Sequence, residues 1–343
     1  MIGKESSIAV IGAGAIGGIT AGFLAKEGYN VEIACHSQEL ADKIKSSGLH
    51  IFGLNGKHRI PVPAVAKISQ LSGPKDIVLL ATKATDVLAA ARELLPFLTD
   101  TSIVVSMQNG ICEYAIADIV GKNRTIGCII NWGATMHSPG EIEMTSTAGL
   151  IIGNINKEPD ERLEPLQKIL GAVAPTRISQ NMIGDLYAKL VINSCITLTG
   201  AICGLRLGEM LSIKKLRNIA IEIIREDIDV ARKMHVKVEA FAGTLDYYRF
   251  LRGEGSFDNS RRHMIIRMIG FKFRRLKSSS LSAVERGKPT EVDYLNGYIA
   301  DNGKEYDVPT PVNDKIIELV KEIEAGSRQI SLSNFDDPFF DIF

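Results

Sequence analysis

The sequence predicts an α/β chain whose first part is a parallel sheet wound with helices and whose remainder is helical. Three observations carry the prediction. A glycine-punctuated strand–turn–helix occupies residues 8–26, short apolar strands alternate with helical stretches up to residue 178, and long helical patterns with few strand signals begin at about Asn181. At 343 residues the chain exceeds what one hydrophobic core organises, so two domains are expected, 1–180 and 181–343.

The first observation is the stretch IAVIGAGAIGG. Ile8, Val10 and Ile11 read as a buried strand, Gly12, Ala13 and Gly14 as a tight turn, and Ala15, Ile16 and Gly17 as the first turn of a helix running to about Lys26. This is G-x-G-x-x-G in the strand–turn–helix setting of a Rossmann dinucleotide site. Gly12 permits the turn, Gly14 lets a pyrophosphate approach the backbone, and Gly17 lets the helix pack on the strand, so the free N–H groups of the helix start can hold the phosphates. Residues 8–25 are nearly free of charge, as in a signal peptide or membrane anchor, but glycines at 12, 14, 17, 18 and 22 and the lack of a leucine-rich centre argue against one. Cytoplasmic placement is expected.

Next, GYNVEIAC reads as a second strand ending near Cys35, followed by His36, Ser37 and Gln38. An acid at that position would hydrogen-bond an adenosine 2′-hydroxyl; none stands there, so NADP(H) is favoured, with NAD(H) left open. Residues 39–47 read as a helix, and 48–70 as short strands and turns. KDIVLLATKATD gives a strand from Ile77 to Ala81 followed by Thr82 and Lys83, and SIVVSMQNG ends in Asn109-Gly110. Both strand ends fall at the carboxyl edge of the sheet, where open α/β sheets bind ligands; a plain turn is the other reading of Asn109-Gly110. Residues 125–153, with Gly133 as a further candidate cofactor contact, read as strands that close the sheet. A helix from Pro159 to Leu170 and a strand at Thr176-Arg177-Ile178 finish the first domain.

In the second domain, Lys189, Asn193 and Thr197 recur at helical spacing and form one polar stripe on an otherwise apolar helix from Met182 to about Gly200. A lysine there either snorkels to the surface or sits in a closed cleft, where burial lowers its pKa and suits it to general-acid work. Near the C-terminus Thr290 reads as a helix N-cap, with Glu291 in the first turn, where a carboxylate favours the helix dipole. Forty basic and 40 acidic residues leave no net charge, so nucleic acid is not expected as a partner and neither is a membrane. The segment Arg261–Lys277 nevertheless has no acid and alternates Arg and Lys with Met264, Ile265, Ile269, Phe273 and Leu276, which reads as a basic amphipathic helix. Five cysteines without metal or disulfide spacing fit a reducing compartment and no metal.

Taken in order, the glycine turn, Asn109-Gly110, K-L-V-I-N at 189–193 and S-S-S-L…R-G-K-P-T-E-V-D-Y-L-N-G at 278–297 make the chain resemble the ketopantoate reductases along nearly its whole length. The resemblance implies an N-terminal Rossmann domain and an all-α C-terminal domain of the kind seen in 6-phosphogluconate dehydrogenase. It also implies NADPH-dependent reduction of 2-dehydropantoate to pantoate, on the route to pantothenate and coenzyme A. Lys189 then matches the proton donor to the substrate carbonyl, Asn193 and Ser279 match substrate-binding positions, and Asn109 matches a residue near nicotinamide and substrate. Glu291 matches the glutamate that closes the site, and Lys83 a lysine at the adenosine end of the cofactor.

Three positions depart from the family pattern: Thr197 and Leu207 stand where substrate asparagines are usual, and His36 replaces a frequent arginine at the 2′-phosphate. Ketopantoate leads as substrate. A paralogous reductase of another 2-oxo acid or an imine is the first alternative, and a non-catalytic dinucleotide-binding regulator the second. A homodimer is left open.

Overall fold

A computed structural model of the chain describes residues 2–156 and 158–342. The chain divides into two compact units, Met1–Ile183 and Gly184–Phe343.

In the first unit the elements run β1 Ile8–Ile11, α1 Ala15–Lys26, β2 Val31–Ala34, α2 Gln38–Ser47, β3 Leu49–Gly53, β4 His58–Ile60 and β5 Ala64–Val65. They continue through β6 Lys75–Leu80, α3 Ala84–Leu94, β7 Leu98–Ser106, α4 Glu113–Val120, β8 Thr125–Ile130, β9 Gly133–Ser138, β10 Glu141–Ser146, β11 Leu150–Asn154, α5 Leu163–Leu170 and β12 Thr176–Ile178. Among the described residues the main sheet has the order β12-β11-β8-β7-β6-β1-β2-β5. Strand β1 pairs in parallel with β2 on one side and β6 on the other, so the chain reverses its winding direction at β1. A crevice at the carboxyl edge follows from that reversal, and it is where such sheets take their ligands. Strands β1 and β6 are buried on both faces, which is why they read as continuous apolar runs rather than as an alternation.

The region 125–153 does not simply close this sheet, as the sequence suggests. Strands β9 and β10 leave it and join β3 and β4 in a second sheet of order β4-β3-β10-β9. Helix α1 contacts both sheets. Its glycines make that possible: a Cβ on Gly18 would lie 2.2 Å from Ile142 Cδ1, and one on Gly22 would lie 2.5 Å from Ile51 Cδ1. The helix expected from Pro159 starts only at Leu163, because Asp160 accepts hydrogen bonds from the backbone N–H and guanidinium of Arg162 and holds the chain in a turn.

The second unit is helical: α6 Met182–Cys203, whose first two residues close the first unit, then α7 Leu207–Ser212, α8 Lys214–Lys233, α9 Tyr247–Leu251, α10 Ser256–Lys272, α11 Ser279–Val284, α12 Asn296–Glu305 and α13 Pro311–Glu324. The strand pairing among its described residues is a lone bridge between Phe241 and Leu245. Helix α6 is long and apolar enough to cross a bilayer, but most of it is buried as the core helix of this unit. The apolar C-terminal stretch folds back on its own unit: Phe335 and Phe340 are buried in ring contact, and Ser331 and Asn334 bond the Ile202 carbonyl at the end of α6.

Candidate active site

In the first unit the glycine turn forms a cradle built from backbone. Gly12 has φ +104, and a Cβ there would lie 2.9 Å from the Ala81 carbonyl and the Thr82 N, so only glycine fits between β1 and the loop after β6. Gly17 is excluded from carrying a side chain even more firmly, since its Cβ would stand 1.9 Å from the Gly12 carbonyl oxygen. Gly14, by contrast, has no heavy atom within 4 Å of a notional Cβ. Open space at Gly14 and tight contact at Gly12 and Gly17 fit a ligand that approaches the backbone at Gly14. Gly14 is also the N-cap of α1 and offers no side-chain cap, and the first turn has no acid, so the helix start is left to an anion. Beside the cradle, the Thr82 hydroxyl oxygen is buried without a hydrogen-bond partner. These residues fit a dinucleotide.

The remaining candidates of this unit surround the same edge. His36 is exposed just past β2, and Ser37 is committed as N-cap of α2, accepting from Leu40 N–H at 3.3 Å. Lys83 is exposed at the N-cap of α3, and Asn109 is half-buried past β7, followed by Gly110 at φ +87. Gly133 opens β9, where its N–H donates to Ser146 Oγ at 2.7 Å and the crowding by Thr145 and Ser146 explains the glycine. One positioning residue escapes sequence reading. Gln108 is buried and donates from Nε2 to the Leu80 and Thr82 carbonyls while accepting from Ser106, which ties the ends of β6 and β7 together. Its neighbour Asn109 drew notice because Asn-Gly is a turn signal; a glutamine carries none.

Gly17→Ala is therefore expected to weaken binding of a reduced nicotinamide dinucleotide by about tenfold or more, because a backbone oxygen cannot yield as a side chain would. Cofactor fluorescence titration checks this, and wild-type affinity would contradict the cradle.

In the second unit α6 is buried on nearly every face. Its half-exposed positions past the first turn, Lys189, Ile192, Asn193 and Ile196, form one stripe, so the lysine and the asparagine open onto a shared face. Thr197 is buried. Around Lys189 the helix is clamped: Tyr247 Oη donates to the Ala188 carbonyl at 2.6 Å, and Tyr187 Oη donates to the Asp227 carbonyl at 3.0 Å. Ser279 is exposed at the first position of α11, and the contact with α6 belongs to its neighbour Ser278, whose hydroxyl donates to the Thr197 carbonyl at 2.9 Å.

The segment around Glu291 differs from the expected simple cap. Thr290 Oγ1 accepts from Val292 N–H two residues on, at 3.2 Å, which turns the chain into a 3-10 turn over Val292–Tyr294 with the half-buried Glu291 just before it, and α12 starts only at Asn296. Asn296 brings this block to α6. Its side-chain amide donates to the Ser194 carbonyl at 3.4 Å and to Asn313 Oδ1 at 2.7 Å. Asn313 in turn donates to Glu226 at 2.8 Å and to Asp227 at 3.1 Å, and Ser194 Oγ donates to Asp227 at 2.5 Å. Helices α6, α8, α12 and α13 thus share one buried polar network, which reaches α6 at Ser194, next in sequence to Asn193.

Family models of two kinds match the chain: "Ketopantoate reductase PanE/ApbA" over residues 8–157 and "Ketopantoate reductase PanE/ApbA C terminal" over residues 181–324. The chain belongs to the ketopantoate reductase family. It is 29% identical to the 2-dehydropantoate 2-reductase of Pyrococcus horikoshii, over 93% of this chain and 97% of that protein. The corresponding protein of Aquifex aeolicus is 27% identical over 92% of this chain and 96% of its own length. Among solved structures, a PanE/ApbA family ketopantoate reductase from Ralstonia eutropha superposes with TM-score 0.80 at 26% identity, covering 94% of this chain and 100% of that one. A D-mandelate dehydrogenase in complex with NADH and anilino(oxo)acetate shares the fold, with TM-score 0.82 at 21% identity over 93% of this chain and 99% of that one. Members of this ketopantoate reductase family are oxidoreductases of the CH–OH group with a dinucleotide-binding fold.

Proposed function

We propose that this family member reduces 2-dehydropantoate to pantoate with NADPH. The observation that carries the proposal is the open stripe of Lys189 and Asn193 on an otherwise buried helix, in a family of keto-acid reductases. A nicotinamide bound at the glycine cradle would supply the hydride. Lys189 holds a proton at Nζ for the substrate carbonyl oxygen, where negative charge builds as the hydride adds, so one group both stabilises that charge and neutralises it. Asn193, one turn on, presents an amide to the substrate's polar groups. Glu291 is assigned to the edge of the site, and Glu291→Ala is expected to raise KM about tenfold with a smaller effect on kcat. A kcat loss with unchanged KM would move Glu291 into the chemistry.

His36 and the lack of an acid after β2 support NADPH over NADH. The test of the whole reading is kcat/KM for 2-dehydropantoate with each cofactor, beside a panel of other 2-oxo acids. Preference for another acid would favour the second reading, a reductase of a different 2-oxo acid. Thr197 and Leu207 favour that reading: both are buried and neither offers the amide usual in the family, which removes about 1–3 kcal/mol of discrimination for each unpaired substrate group. A non-catalytic cofactor sensor would need neither Lys189 nor Glu291. We assign the protein to the cytoplasm.

A further inference from the structure

Helix α10 runs over Ser256–Lys272, so it begins before the basic stretch 261–277 and ends inside it. Its packed line is Arg262, Ile266 and Gly270, and a Cβ on Gly270 would stand 2.9 Å from Leu211 Cβ, so α10 lies close against α7. The opposite face carries Phe257 (80% exposed), Met264 (58%), Met268 (65%) and Phe271 (74%). Spacings of seven, four and three residues put these four on one stripe, facing away from the core. Phe273 and Leu276 extend it past the helix end, at 44% exposure each. An uncovered apolar stripe of this extent marks a contact surface.

Its surroundings are basic. Residues 261–277 contain no acid, and Arg267 and Lys272 flank the stripe on opposite sides. Beside it, α7 and α10 enclose a groove of about 570 Å³ into which Arg206, Arg267, Arg274 and Arg275 project, with Glu209 as its single carboxylate. Among the described residues none of these four arginines pairs with a carboxylate. The buried Arg262, in contrast, is fully used: it donates to the Phe250 and Leu251 carbonyls at the end of α9. The fold therefore separates one structural arginine from four without a carboxylate partner, of which Arg274 lies over the ring of Phe271, 5.5 Å from its centroid.

We propose that the outer face of α10, with the arginine groove beside it, docks on an anionic lipid surface. The phenylalanines and methionines enter the boundary between headgroups and acyl chains while the guanidinium groups take the phosphates, the two-part attachment that a peripheral protein needs. Charge chooses this occupant over a second copy of the chain, because pairing the face with itself would set unpaired arginines against arginines. Zero net charge is no obstacle, since attraction at a surface is decided within a Debye length of about 8 Å.

The test is co-sedimentation of the full-length protein with vesicles of phosphatidylcholine alone or mixed with phosphatidylglycerol. Binding is expected to the mixed vesicles and not to phosphatidylcholine, and to fall with added salt. Each basic group at such a surface multiplies binding about fivefold, so Arg274→Glu with Arg275→Glu is expected to lower the partition coefficient about 25-fold or more. Phe257→Ser with Phe271→Ser is expected to lower it about tenfold with the melting temperature unchanged, since both rings are exposed in the free protein. Failure to bind mixed vesicles overturns the proposal, as does binding that neither double variant weakens. Self-association lost with the two phenylalanines, without vesicle binding, would give the face to a second copy instead.

Discussion

Lys189→Ala is expected to lower kcat for 2-oxo acid reduction by about a hundredfold to ten-thousandfold, the range that a positioned general acid contributes. NADPH affinity should hardly change, because the cradle of Gly12, Gly14 and Gly17 is backbone geometry in the other unit. Stability should change little too: the side chain is half-exposed, and α6 is held beside it by Tyr247 on the Ala188 carbonyl. Lys189→Arg separates charge from proton transfer, since a guanidinium keeps the charge but does not give up a proton near neutrality. It should restore substrate binding without restoring kcat. Unchanged turnover in Lys189→Ala would remove the lysine from the mechanism.

Asn313→Ala is expected to cost about 2–4 kcal/mol, a fall of about 4–16 °C in the melting temperature. Asn313 stands between two carboxylates, giving an N–H to Glu226 and another to Asp227 while accepting from Asn296. Alanine would leave those acids adjacent and buried with fewer donors. The penalty should also appear as a raised KM, because Asn296 and Ser194 set the rotation of α6 behind Asn193. Urea denaturation with kinetics on the same samples checks both, and a melting temperature within about 2 °C of wild type would show that the network carries no load.

The same pair sets a pH dependence. Burial pushes Glu226 up to about 7 from 4.5, against the pull of hydrogen bonds from Val312 and Asn313, and burial also holds Asp227 well above the usual carboxylate range. The native state therefore binds more protons than the unfolded state between about 4.5 and 7, so Glu226 contributes stability that is complete below that window and is lost as pH rises through it. Glu226→Gln removes the titration. Its stability relative to wild type is expected to improve from pH 5 to pH 8, and a constant difference would mean that Glu226 stays ionised throughout.

What could be read from the sequence is what depends on near neighbours. Gly12 and Gly17 meet each other across one turn, so their spacing alone announced the cradle. Lys189 and Asn193 share a face by helical period and both are half-exposed, whereas Thr197, which the same period adds to the stripe, is buried because helix packing and not spacing decides exposure. Pairing between β3 and β10 was illegible, because each is short and nothing local sets the register of strands so far apart in the chain. Nothing local marks Asp227, Asn296 and Asn313 as buried, since a polar residue in a helical pattern defaults to solvent until another helix covers it. In helix α10 the basic amphipathic character could be read, but not that Arg262 faces inward to bond the carbonyls that end α9, since an arginine in a helical pattern defaults to solvent.

The glycines of α1 have a consequence for the order in which the protein is made. Gly18 rests against Ile142, and Gly22 against Ile51 and Ile60, so α1 is completed by segments synthesised after it, the one with Ile142 long after. On the ribosome the first strand and helix emerge early yet lack one wall until β10 has been translated. Cofactor binding by a nascent chain should switch on there, abruptly, rather than grow with the glycine turn itself.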